Sequence, residues 1–106
     1  VYLQLRRRLL PQQDIHYWKN PDGVEADFVV REGLRVRDVY QACYSITDEK
    51  TKLRELRGLT ACAKEFGAKK GSVITWGVEG RETVSGVDVR FIPLWKWLLE
   101  KAILPP

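Results

Sequence analysis

Two thiols, one imidazole and fourteen carboxylates are side chains in this sequence whose types could support nucleophilic, acid-base or metal chemistry. Cys43 and Cys62 form no CxxC pair and have only His16 to join them, too few ligands for a closed zinc site. They read as reduced, cytosolic thiols. Cys43 as a nucleophile would need a base, and His16 is the sole candidate, with no residue to orient it, so the plainer reading is a small buried thiol. Asp27 stands inside an apolar run and needs either a hydrogen-bonding partner or a metal. Gln41 reads as a space-filling hydrogen-bond donor. The triplet Arg6, Arg7, Arg8 either grips phosphates or forms the solvated face of a helix, and Lys69 and Lys70 extend it if they share its face. Tyr17, Trp18, Tyr40 and Tyr44 read as core or cross-strand aromatics ahead of base-stacking platforms. No GxxxxGK[ST] pattern occurs, so ATP hydrolysis is not assigned to these residues.

The chain around these residues has 106 positions, 44% of them hydrophobic and 30% charged, which is the balance of one folded domain spanning residues 1–106. Eighteen basic against fourteen acidic side chains leave +4, a mild tilt toward polyanions. No signal-like segment and no run of about 18 apolar residues is present, which predicts a cytoplasmic protein with no membrane partner. The absence of any methionine, with an amphipathic segment at the start, predicts a domain cut from a longer protein.

Val1 to Leu10 fits the tail of an amphipathic helix ended by Pro11. Strands are predicted near 14–19, 26–31 and 35–44, with Asn20-Pro21-Asp22-Gly23 and Glu32-Gly33 as turns, giving an antiparallel meander. The third strand should set Val39, Gln41 and Cys43 on one face and Tyr40, Ala42 and Tyr44 on the other. Thr47 or Asp48 caps a helix over 51–66 that ends at Gly67 and buries Leu53, Leu56, Leu59 and Phe66. A strand at Val73 to Trp76 then lies parallel to the third strand. Gly77 to Gly86 reads as a surface loop or ragged hairpin. Val87 to Ile92 is a last strand, and Pro93 opens a closing helix lined by Trp95, Leu98, Leu99, Ala102 and Ile103.

With these elements in place, LQLRRR at Leu3 to Arg8, YWKNPDGVEADFVV at Tyr17 to Val30, VYQACYSITD at Val39 to Asp48, VITW at Val73 to Trp76 and FIPLWKWLL at Phe91 to Leu99 resemble one family. It is the C-terminal domain of unknown function of archaeal and bacterial AAA-type ATPases, distantly related to the PD-(D/E)xK nucleases. The resemblance covers nearly the whole chain. It implies an α/β, restriction-endonuclease-like core, with a mixed sheet of three antiparallel strands plus a parallel strand after a crossover helix, flanked by helices.

In active nucleases of that superfamily a helix acid, an Asp on the second strand and an acid-x-lysine pair on the third converge on Mg²⁺. The hard metal needs oxygen ligands, and the lysine stabilises the attacking water or the developing phosphoryl charge. The resemblance maps these roles onto Gln4, Asp27, Gln41 and Cys43, so only Asp27 keeps the required chemistry. The implied function is a degenerate, non-catalytic accessory domain of an ATPase. It binds DNA or RNA non-specifically through Arg6, Arg7, Arg8, Lys69 and Lys70, or meets the parent ATPase or a second copy through a partly uncovered Trp95 and Trp97. No cofactor is expected in these residues, ATP belonging to the parent protein. The alternatives are a metal-dependent nuclease, with Mg²⁺ on Asp27 and a relocated partner such as Glu25 or a lysine of the following helix, and a purely structural assembly domain.

Overall fold

A six-stranded mixed sheet with three helices makes this an α/β fold. The computed structural model describes residues 1–9, 12–43, 45–46 and 48–103, apart from the side chains of residues 4 and 101–103. The order is α1 (Tyr2–Arg8), β1 (Gln13–Lys19), β2 (Glu25–Glu32), β3 (Arg35–Ala42), α2 (Glu49–Phe66), β4 (Lys70–Thr75), β5 (Gly80–Val84), β6 (Val87–Pro93) and α3 (Leu94–Ile103). In space the strands run β1-β2-β3-β4-β6-β5. The first three form the antiparallel meander, β4 is parallel to both β3 and β6, and β5 pairs antiparallel with β6 at the edge.

Turn and cap chemistry accounts for the boundaries. Asn20 Oδ1 accepts the N–H groups of Asp22 and Val24, folding the β1–β2 connection around its own side chain. Asp48 caps α2, accepting the Lys50 N–H at 3.2 Å and the Thr51 hydroxyl at 2.8 Å. The Thr51 hydroxyl, helped by that N–H, holds the Asp48 carboxyl below the usual range. At the far end Gly67 adopts φ +73°, and the N–H groups of Gly67 and Ala68 return to the carbonyls of Lys64 and Ala63.

Both sheet faces are covered because consecutive residues on the inner strands enter opposite cores. Val29, Val39, Val73 and Phe91 pack under α2 with Leu56, Leu59 and Cys62, whereas Val30, Tyr40, Ile74 and Ile92 pack on the other face with Leu5 and Trp97. No described helix is long and apolar enough to cross a membrane.

Several sequence expectations need correction. Leu53 and Phe66 are 58% and 43% exposed, and each borders an open cleft instead of closing the core under α2. Of the two readings of segment 77–86, a surface loop or a ragged hairpin, the hairpin holds: its exposed arm is β5, an edge strand paired with β6. Pro93 ends β6 opposite Thr75, and α3 begins at Leu94. Strand β3 stops at Ala42, although Cys43 N–H still bonds the Ile74 carbonyl at 2.9 Å. Trp97 is only 3% exposed: Arg8 lies over its ring at 4.4 Å and Tyr40 meets it edge-on, so the partly uncovered surface expected there reduces to Trp95. The expectations for Pro11, Tyr44, Thr47 and the side chains of Ala102 and Ile103 lie outside the described residues.

Candidate functional site

Asp27 reaches the α2 side of the sheet through a bulge. Between the paired positions His16/Val29 and Trp18/Ala26, β1 advances by two residues and β2 by three. The extra residue on β2 lets both Ala26 and Asp27 face α2. On the neighbouring strand Gln41 is 1% exposed, and every polar group of its amide is engaged. Its Nε2 donates to the carbonyls of Glu25 at 2.9 Å and Glu55 at 3.0 Å, and its Oε1 accepts the Asp27 N–H at 2.7 Å. The Asp27 carboxylate in turn accepts the Ala42 N–H at 2.9 Å. One side chain therefore joins β2, β3 and α2. Gly58 permits the close approach this requires, since a Cβ there would stand 1.8 Å from the Glu25 carbonyl oxygen and 2.7 Å from Gln41 Nε2.

Beside this clasp lies a cleft of about 600 Å³ lined by the carboxylates Asp22, Glu25, Asp27 and Glu55 and by Arg54 and Arg57. Burial, and then the negative charge of Asp27, push the Glu55 carboxyl above its usual range, with Arg54 opposing them. Cys43 is buried, and its thiol is pushed up by that burial and by Glu55. Its nearest acceptor is the Ser45 carbonyl at 3.6 Å. His16 sits on β1 with its Nε2 2.8 Å from Asp14. A whole strand separates it from β3, about 10 Å at ordinary strand spacing, so it is not held as a base for Cys43.

These residues do not fit the Mg²⁺ centre that the nuclease resemblance implies. The Gln41 oxygen is already given to a backbone N–H, and Cys43 offers a protonated, soft thiol where the chemistry needs a cation. Among the described residues no three His, Cys, Asp or Glu side chains gather as a metal-binding group. The side chain of Gln4 lies outside the described residues. No family model and no curated protein matches this chain.

The basic residues divide between two places. Arg6 and Arg7 are exposed on α1, while Arg8 is stacked on Trp97, where burial lowers its guanidinium pKa. Lys69 and Lys70 lie after α2, in a cleft of about 440 Å³ that also holds Arg35 and Arg37. Lys70 further borders a smaller cleft, about 290 Å³, whose wall includes Trp97, the residue that carries Arg8.

Sequence reading missed Glu55, Gly58, Arg35 and Arg37. Glu55 directly precedes the buried Leu56, at the border of the apolar stripe of α2, and the two arginines flank the buried Val36. Both signals are visible once the inward face of each element is known.

Proposed function

We propose that this chain is a non-catalytic accessory domain with a restriction-endonuclease-like core, carried by an ATPase and contacting nucleic acid through phosphates without reading sequence. The observation that supports it best is the commitment of Gln41. At the position where a nuclease of this type holds a metal-binding acid, the side chain is buried and spends its hydrogen bonds on tying β3 to β2, twice, and to α2, once. With Cys43 at the lysine position, the cation that in such a nuclease stabilises the attacking water or the phosphoryl charge is replaced by a buried thiol. The surplus of cations supplies the nucleic-acid contact.

One observation favours a second reading. Asp27 and Glu55 present neighbouring carboxylates to the same cleft, the arrangement a relocated acid would give a metal-dependent phosphodiesterase. One assay separates the two. Labelled DNA and RNA are incubated with Mg²⁺ or Mn²⁺ and the wild type, Asp27→Ala or Glu55→Gln, and binding is followed in parallel. The accessory-domain reading expects salt-sensitive binding and no cleavage. Metal-dependent cutting lost in both variants establishes the phosphodiesterase.

A further inference from the structure

The cleft at the C-terminal end of α2 is set apart from the degenerate centre. Gln41 lies near one end of β3 and Arg35 at the other, roughly 20 Å away at about 3.3 Å per residue. This far cleft is lined by Arg35, Arg37, Lys69 and Lys70, with Phe66 at its rim and Asp38 as its single carboxylate. Lys19, Lys52, Arg81, Arg90 and Lys96 each have a carboxylate partner, but among the described residues Arg35, Arg37, Lys69 and Lys70 form no ion pair. Four like charges gathered around one carboxylate cost stability and are expected where an anion relieves them.

Two features of the backbone build this cluster. Strand β3 carries a bulge against β2: Val36 pairs with Arg31 and Asp38 with Val30, leaving Arg37 unopposed. The bulge lets Val36 and Val39 both enter the core under α2 while Arg35 and Arg37 stay outside and exposed. At the helix end, the N–H groups of Gly67 and Ala68 satisfy the carbonyls of Lys64 and Ala63. That capping occupies two of the terminal carbonyls of α2 with backbone donors, so these carbonyls are not held by Lys69 or Lys70.

We propose that this cleft is a binding site for the backbone of a single-stranded nucleic acid, with Arg35, Arg37, Lys69 and Lys70 on successive phosphates and the 43% exposed Phe66 ring available to stack a base. Arg35 and Arg37 follow each other along a strand by about 7 Å, a step comparable to that between phosphates of a stretched single strand. A duplex presents a broad, rigid cylinder and offers Phe66 no splayed base. The proposal rests on the nucleic-acid reading above but moves the contact from the α1 triplet, whose Arg8 is committed to Trp97.

The test titrates a fluorescein-labelled oligothymidylate, and separately a duplex of equal length, with four proteins: wild type, Arg35→Gln/Arg37→Gln, Phe66→Ala and Arg6→Ala/Arg7→Ala/Arg8→Ala. Circular dichroism verifies folding. The wild type should prefer the single strand. The Arg35/Arg37 double variant should bind at least about tenfold more weakly, with its log–log salt slope reduced by about 1.4, the ~0.7 per phosphate contact of a single strand. Phe66→Ala should lose affinity with the salt slope unchanged. Because the cluster is self-repelling, the double variant should also melt at an equal or higher temperature in low salt. Wild-type affinity in the double variant, with loss only in the α1 triple variant, overturns this cleft while sparing the nucleic-acid reading. A preference for duplex overturns the single-strand assignment. No binding by the wild type overturns both.

Discussion

Asp27 and Gln41 hold each other through their backbones as well as their side chains: Gln41 Oε1 accepts the Asp27 N–H at 2.7 Å, and the Asp27 carboxylate accepts the N–H of Ala42, the residue after Gln41, at 2.9 Å. The clasp turns an Asp that could have faced a metal into part of a strand-to-strand joint. It also gives Gln41→Glu a definite consequence. The new carboxylate would place oxygen where Nε2 now donates to the carbonyls of Glu25 and Glu55, leaving two acceptors unpaired and a buried charge against them. At about 1 to 3 kcal/mol per unsatisfied buried group, the loss should be about 2 to 5 kcal/mol in urea unfolding at pH 7. An acid at this position therefore unsettles the fold before it can serve as a metal ligand. An unchanged unfolding midpoint would show the clasp to be unimportant.

Gly58 should tolerate no side chain. A Cβ 1.8 Å from the Glu25 carbonyl oxygen forces α2 away from β2, so Gly58→Ala, although it favours helix, should destabilise by about 3 kcal/mol or more. Gly77→Ala, with nothing within 4 Å of its built Cβ, should change stability by less than about 0.5 kcal/mol. Equal melting temperatures for the two variants would contradict the close contact.

The meander and the β3-α2-β4 crossover were legible because their signals are local. Asn20 to Gly23 is a turn by composition, Asp48 and Gly67 bracket a helix, and β4 is apolar enough to be interior. Strand β5 was legible only as one arm of a hairpin that could equally be a loop, since an edge strand reading Gly-Arg-Glu-Thr-Val owes its conformation to β6 and not to its own periodicity. Periodicity put Leu53 and Phe66 with the apolar residues of α2 but could not show that each borders an open cleft. At the candidate site, Asp27 stood out as an acid in a strand, whereas Gln41 and Cys43 were brought together by the nuclease resemblance. The partners of Gln41, at Glu25 and Glu55, lie too far along the chain for any local pattern to disclose.

The two tryptophans of α3 should behave oppositely. Trp97 is held between Arg8 and Tyr40 at 3% exposure, so Trp97→Ala should cost about 3 to 5 kcal/mol. Trp95, 59% exposed, should tolerate alanine within about 0.5 kcal/mol. Denaturant unfolding of both variants checks the difference, and similar losses would mean that α3 packs in another rotation.

Glu55 should make the domain less stable as pH rises through the carboxyl range. Burial and then the neighbouring Asp27 raise its pKa in the folded state, whereas the unfolded chain keeps an ordinary glutamate near 4.3. Between that value and the raised one the folded protein binds more protons than the unfolded chain, so stability falls with increasing pH across the interval, and the full penalty persists above it. Glu55→Gln keeps the shape and removes the charge. The variant should therefore unfold at higher urea than the wild type at pH 7, and the gap should close as the pH is lowered through the raised pKa toward about 4. Arg54, 74% exposed and 3.8 Å from Glu55, is too solvated for the loss of its pairing to reverse the sign. A variant no more stable than the wild type at pH 7, or a gap that widens in acid, would mean that the Glu55 carboxylate is stabilised where it stands.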